Sequence, residues 1–186
     1  MQITGIILAG GKSSRMGSDK GLIPLNGKPM IEHVIDHLKK LDIPIIIISN
    51  NPEYEKFGLP VYEDEFKDKG PVAGIYTGLL HSKTDTNIVL SCDVPYASTE
   101  LLQYLLDNSK DNRVTLPKLN GKIHPLVGVY KTDSLPTFKE HLKNDQRKLI
   151  KVCNHLNSCI LDLSSHPELN NEALFKNMNT QEDLKS

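Results

Sequence analysis

The chain carries no surplus of either charge, no long apolar run and few cysteines. In 186 residues, 22 Lys and Arg stand against 23 Asp and Glu, so no basic field exists to hold nucleic acid by counterion release. No purely apolar run exceeds four residues, Ile45–Ile48 being one, whereas a membrane-spanning helix needs about 20. Three cysteines (Cys92, Cys153 and Cys159) without a C-x-x-C pair make neither a disulfide framework nor a zinc cage. The opening Met1-Gln2-Ile3-Thr4 lacks a charged n-region and runs into an apparent core strand, so no signal peptide is expected and a cytoplasmic location is. With no repeat, low-complexity tract or dividing linker, residues 1–186 are expected to form one domain with its own core.

What is present is a repeated switch between strand and helix patterns. Ile3–Leu8 and Ile45–Ser49 are short β-branched runs without alternation, and Asn87–Ser91 has the same character, as expected of strands covered on both faces. Between the first two, Met30, Ile31, Val34, Ile35, Leu38 and Leu41 recur at helical spacing, with Pro29 suited to a first helical position. Gly70-Pro71 opens a second helix, and Ser98 is a candidate cap for a third over Thr99–Asn108. The order predicts an α/β, Rossmann-like doubly wound sheet, mostly parallel and flanked by helices.

The second half is less regular. Val114–Pro117 and Lys122–Tyr130 read as strands joined through Asn120-Gly121, a strong hairpin signal, which predicts an antiparallel excursion from the sheet. Thr132–Asn144 and Gln146–Leu156 are helical candidates, and Cys159–Leu163 a final strand. Thr180-Gln181-Glu182-Asp183 has the form of a capping box for a short last helix.

The most informative segment is Leu8-Ala9-Gly10-Gly11-Lys12-Ser13-Ser14-Arg15-Met16-Gly17-Ser18-Asp19-Lys20. A buried strand stops at two glycines and a small, polar, basic loop begins. Glycines let main-chain N–H groups approach a polyphosphate unobstructed; Arg15 adds a planar cationic fork and Lys20 a mobile point charge. Arg15 is one of three arginines in the chain, and it stands in this loop. The spacing fits neither a Walker A loop nor the G-x-G-x-x-G fingerprint. A strand-to-helix turn with solvated charges is the competing reading.

This string resembles the signature of the molybdenum cofactor guanylyltransferases, the MobA family of nucleotidyltransferases. The similarity continues through Leu25-Asn26-Gly27-Lys28-Pro29-Met30, Glu63-Asp64, Gly70-Pro71-Val72-Ala73-Gly74, Cys92-Asp93-Val94-Pro95, His124-Pro125 and Asn177-Met178-Asn179-Thr180. The resemblance implies transfer of GMP from GTP to molybdopterin with release of pyrophosphate. It also implies that Leu8, Ala9 and Gly10 line the guanine and ribose site, and that Gly11 through Lys20 wrap the triphosphate with Arg15 and Lys20 neutralising it. Asp64 would help hold the nucleotide and Asp93 would hold Mg2+. Transient contacts with molybdoenzymes or cofactor-maturation proteins are implied too. Gln181 stands where many members have proline. The related cytidylyltransferases resemble L-A-A-G and G-D-x-P where this chain has Leu8-Ala9-Gly10-Gly11 and Cys92-Asp93-Val94-Pro95, a difference that favours GTP over CTP. Cytidylyl transfer, transfer to a sugar phosphate and a non-catalytic nucleotide-binding module are the alternatives.

The chemistry of the residues agrees with that implication. Nucleotidyl transfer needs positioning and charge stabilisation more than a protein nucleophile, and Asp93 follows a strand on the same side as the glycine loop. Asp93 could instead cap a turn, and Asp64, among Glu63, Glu65 and Asp68, could be one of a solvated acidic cluster. Gly70, Gly74, His124, Asn177 and Asn179 are candidates for the second substrate, Gly74 and Gly78 also for close helix packing. His33 and His37 are expected at the surface rather than on a metal, and Cys92 as a small buried hydrophobe.

Overall fold

A computed structural model describes residues 2–10 and 19–178. Among them, ten strands and five α-helices follow one another: β1 (Ile3–Leu8), β2 (Pro24–Leu25), β3 (Lys28–Pro29), α1 (Met30–Lys39), β4 (Ile45–Ile48), β5 (Val61–Tyr62), α2 (Pro71–His81), β6 (Thr86–Ser91) and α3 (Thr99–Asp107). Then come β7 (Val114–Leu119), β8 (Lys122–Ile123), β9 (Val127–Lys131), α4 (Leu135–Lys143), α5 (Leu149–Cys153) and β10 (Ser158–Asp162). The main sheet has the order β10-β7-β9-β6-β1-β4-β5, with β8 pairing on β7.

The sheet is parallel from β5 through β4 and β1 to β6, and between β10 and β7. It is antiparallel where β9 enters between β6 and β7 and where β7 meets β8. This is the expected α/β sheet with an antiparallel excursion. Among the described residues no helix is long and apolar enough to cross a membrane.

Coverage of both faces explains the unbroken apolar runs. Ile7, Ile45, Ile47, Ile88 and Leu90 pack under α1 and α3, while Ile6, Leu8, Ile46, Ile48 and Val89 pack under α2, α4 and α5. Successive residues of one strand thus enter different cores. Complete burial of each such side chain contributes about 1.5–3 kcal/mol, so neither face can be made polar cheaply.

Several boundaries move. Pro29 lies one residue before α1, in a two-stranded hairpin with β2 whose turn places Asn26 and Gly27 at φ 51° and 84°. Asn120 and Gly121 adopt the same left-handed pair at φ 48° and 76°, as the hairpin signal required. The long strand expected over Lys122–Tyr130 is two strands, because the chain turns at His124 and the Val127 N–H donates to the His124 carbonyl at 3.1 Å. The helix expected from Thr132 starts as a 3-10 turn and becomes α at Leu135, and the next is shortened to Leu149–Cys153. His33 and His37 are half-buried rather than surface residues: His33 Nε2 lies 2.8 Å from the Leu25 carbonyl, and His37 Nδ1 is buried. The short helix expected from Thr180 lies outside the described residues.

Candidate active site

A cleft of about 690 Å3 opens at the carboxyl ends of β1, β4 and β6, with Leu8, Ile48 and Ser91 among its lining residues. These three are register partners. From β1 the chain crosses first to β4 on one side and later to β6 on the other, and such a switch in strand order is where an α/β sheet leaves a ligand crevice.

Asp93 stands just beyond β6. Its side chain is 13% exposed; Oδ2 lies 3.7 Å from Lys20 Nζ, and Oδ1 is buried with no hydrogen-bond partner among the described residues. That oxygen is therefore not capping the turn. The turn is made by the main chain, Val94 N–H donating to the Ser91 carbonyl at 3.3 Å, and the Asp93 carbonyl accepts from Met178 N–H at 3.0 Å. The latter bond draws the segment containing the exposed Asn177 toward Asp93. Met178 itself is buried with Leu25 and Met30.

Asp64 reaches the cleft from the loop after β5. Glu63 and Glu65 are exposed, but Asp64 is half-buried and its Oδ1 has no partner among the described residues. Burial raises its carboxyl above the ordinary aspartate value, opposed by a hydrogen bond with Asn50. The same asparagine accepts from the Asp64 N–H at 3.0 Å. Gly74 faces this carboxylate: a Cβ there would stand 3.7 Å from Asp64 Oδ1 and 3.2 Å from Leu8 Cδ2. Gly78, one turn on, packs onto Ile6. Gly74 therefore serves both packing and the cleft wall, whereas Gly78 serves packing. Gly70, at φ 66° and ψ −155°, turns the chain in a conformation that glycine tolerates, and aims the first turn of α2 at the cleft.

Lys20 begins a one-turn 3-10 helix capped by Asp19. Gly21 beside it is buried against the Tyr54 hydroxyl and the Cys92 side chain. Cys92 is buried, and its thiol is pushed above its ordinary value by burial and by the neighbouring Asp93, so it is a packing residue with no thiolate to offer. Leu8 O accepts from Cys92 N–H at 3.0 Å and Ala9 N–H donates to Ile48 O at 2.9 Å, leaving the exposed Gly10 at the mouth with open space around its Cα. Gly11, Arg15 and Asn179 lie outside the described residues.

His124 is not among the residues lining this cleft. It stacks on Phe175 with centroids 4.1 Å apart and planes 22° from parallel, and burial with the nearby Lys122 pushes its imidazole down to about 4. Leu126, two residues on, does line the cleft.

Asp19, Asn50, Asn51 and Arg147 also line the cleft. The sequence alone gives the last three no role, and marks Asp19 only as part of the loop from Gly11 through Lys20. Arg147 comes from the α4–α5 connection and is held by Asp145, which also pairs with Lys69 at 2.6 Å. Its signal was available, since it is one of three arginines, but only the fold brings it to the cleft.

Among the described residues no three acidic, histidine or cysteine side chains converge as a metal cage. The donor set is an acidic cleft with an orphaned oxygen on each of two carboxylates. It suits a hard divalent ion that takes one or two carboxylates and completes its shell with phosphate oxygens and water.

Residues 5–159 match the MobA-like NTP transferase domain. The chain is 36% identical over 182 residues to the "Probable molybdenum cofactor guanylyltransferase" of Carboxydothermus hydrogenoformans, covering 97% of this chain and 92% of that one. It is 38% identical over 188 residues to the molybdenum cofactor guanylyltransferase of Vibrio parahaemolyticus, covering 98% and 93%. In fold it is similar to the crystal structure of molybdopterin-guanine dinucleotide biosynthesis protein A from Archaeoglobus fulgidus, with a TM-score of 0.81, 24% identity and coverage of 98% and 95%. Matched over nearly its whole length, the chain belongs to the MobA-like NTP transferase family and is a nucleotidyltransferase.

Proposed function

We propose that this chain transfers GMP from GTP to molybdopterin, releasing pyrophosphate, as a cytoplasmic enzyme of one domain. The observation that carries the reading is Asp93: a half-buried carboxylate just beyond β6 with one oxygen facing Lys20 and the other buried and unpartnered among the described residues. The names of the relatives supply the guanine and the pterin.

In this reading a terminal phosphate oxygen of molybdopterin attacks the α-phosphorus of GTP. A new P–O bond forms, the bond to the β-phosphate bridging oxygen breaks, and pyrophosphate leaves with the electron pair. Lys20, with Arg15 and the main chain of Gly10 and Gly11, neutralises and orients the triphosphate, the main contribution a protein makes to such a transfer. Asp93 would hold Mg2+, which when bound supplies a Lewis acid for the phosphate oxygens. Leu8, Ala9 and Asp64 border the nucleoside. Gly70, Gly74, Asn177 and Asn179 would border the second substrate, with His124 outside the cleft lining. Delivery of the product implies transient contacts with molybdoenzymes or cofactor-maturation proteins.

The test is pyrophosphate release with Mg2+ and molybdopterin freed from a molybdopterin-containing protein, comparing GTP, CTP, ATP and UTP. Release with GTP alone is expected. Release with CTP would move the chain to cytidylyl transfer, and silence with all four would sink the reading.

A further inference from the structure

Asp19 is an acidic residue on the wall of a cleft assigned here to a polyphosphate. Left open, its charge would repel that ligand. Instead its carboxylate is tied on both oxygens. Oδ1 accepts from Gly21 N–H at 3.3 Å and from the Tyr54 hydroxyl, and Oδ2 accepts from Asn51 Nδ2 at 3.2 Å. An ordinary helix cap needs one such bond. Here three donors from two separate segments meet one side chain, and each is itself fixed. Tyr54 is fully buried, so its hydroxyl requires a partner. Asn51 Oδ1 accepts from Glu53 N–H at 3.0 Å, which orients its amide donor toward Asp19. Gly21 is wedged against Tyr54 and Cys92.

The residue between Asp19 and Gly21 is Lys20, whose ammonium faces Asp93 at 3.7 Å. A lysine has a flexible four-carbon stem and about 2 kcal/mol of rotamer entropy to lose. Fixing its main chain from both neighbours reduces the volume that the ammonium must search. We propose that Asp19 is a positioning residue for nucleotidyl transfer: tied to Gly21, Asn51 and Tyr54, it sets the main chain of Lys20 so that the ammonium meets both Asp93 and the incoming polyphosphate. This rests on the reading that Lys20 binds the triphosphate. Tyr54, behind the cleft wall, and Asn51, on it, both in the β4–β5 connection, thereby become part of the site.

The proposal is tested in the full chain by two measurements, the calorimetric Kd for Mg2+-tripolyphosphate and the kcat and KM for GTP. Asp19→Ala is expected to weaken tripolyphosphate about tenfold and to raise KM more than it lowers kcat. In a Lys20→Ala background it is expected to add nothing, because a residue acting through Lys20 has nothing left to position. Equal losses in both backgrounds would make Asp19 a purely structural cap and overturn the proposal. The pair Asp19→Asn and Asn51→Asp guards against misfolding. Each alone is expected to lose affinity, the first by setting two amide donors face to face and the second by opposing two carboxylates. Together they restore the bond with its direction reversed, while the carboxylate introduced at position 51 still accepts from Glu53 N–H, and affinity is expected within threefold of the parent. A double variant no better than the singles would also overturn the proposal, as would a parent chain that does not bind tripolyphosphate. If GTP is not consumed but tripolyphosphate binds, the guanylyl reading fails and the tripolyphosphate arm still decides the role of Asp19.

Discussion

On the cleft floor, Asp64 and Asp93 each keep a buried oxygen with no partner among the described residues, whereas at the rim Asp145 is gripped by Arg147 and Lys69, which hold its carboxyl down to about 2. Both regions carry negative charge. A paired rim carboxylate stays ionised through the neutral range and has little capacity left for a ligand. An orphaned buried acceptor costs about 1–3 kcal/mol of stability, and two in one cleft are a penalty that bound cations and donors would relieve. Asp19 belongs with the saturated group although it stands in the cleft. Satisfaction, rather than location or charge, separates acids that build this site from acids that would use its ligands.

Replacing the floor carboxylate is the strongest way to break this comparison. Asp93→Ala is expected to lower turnover about 10³-fold, equivalent to about 4 kcal/mol of barrier. Its melting temperature should stay at or above the parent's, since an unsatisfied buried acceptor is lost with it. A fall in both activity and melting temperature would class Asp93 with the structural acids.

Two glycines sharpen the contrast next. At Gly78 a Cβ would approach Ile6 Cγ2 to 2.5 Å, so Gly78→Ala should destabilise by about 2 kcal/mol in a denaturant titration. Gly74→Ala meets Leu8 at 3.2 Å, a gap that a small shift relieves, and about 1 kcal/mol of helix propensity offsets it. Its stability should hardly move, while KM for the second substrate rises several-fold because the methyl group enters the cleft wall.

Asp64→Asn addresses the second floor acid. Burial raises this carboxyl, so the favourable folded-state protonation is fully present below the ordinary aspartate value and is lost as pH rises through the raised one. At pH 7 the charge is a liability. The asparagine variant should be more stable there by up to about 1 kcal/mol, after allowance for the solvent-facing edge, and the gain should vanish toward pH 3. Thermal melts at several pH values read this directly, and KM should rise in the same variant.

The smallest effect concerns His124, outside the cleft. Its imidazole is pushed from 6.5 to about 4, so the unfolded chain takes up a proton first, and stability should fall as pH drops from about 6.5 toward 4. His124→Phe, keeping the stack on Phe175, should flatten that slope by about 1 kcal/mol without changing KM. A changed KM would bring His124 into substrate binding.

Legibility in the sequence followed the range of the interactions. The strands β1, β4 and β6 declared themselves because burial on both faces leaves β-branched runs without alternation, and Asp93 because it follows such a run. The antiparallel insertion of β9 between β6 and β7 could not be read: a strand's neighbour is chosen by the whole sheet, and Lys122–Tyr130 carries no mark of the turn at His124 beyond its proline. The anchor on Asp19 joins residues 32 and 35 positions apart, and no local pattern encodes a partner at that distance. Asp64 was legible as an acid among acids; that it alone of Glu63, Asp64 and Glu65 turns inward follows from its loop's bond to Asn50.

The hydrogen bond from Met178 to the Asp93 carbonyl also sets a clock. In synthesis from the amino end, the Asp93 turn is made first, and its partner arrives only after the 85 residues that separate 93 from 178. At roughly 5–20 residues per second that interval is about 4–17 s. The parallel half of the sheet can assemble in that time, but the turn carrying Asp93 stays unbraced until translation has passed through nearly all of the described chain, so a ribosome-stalled fragment ending before Met178 would own the cleft's strands and lack its final brace.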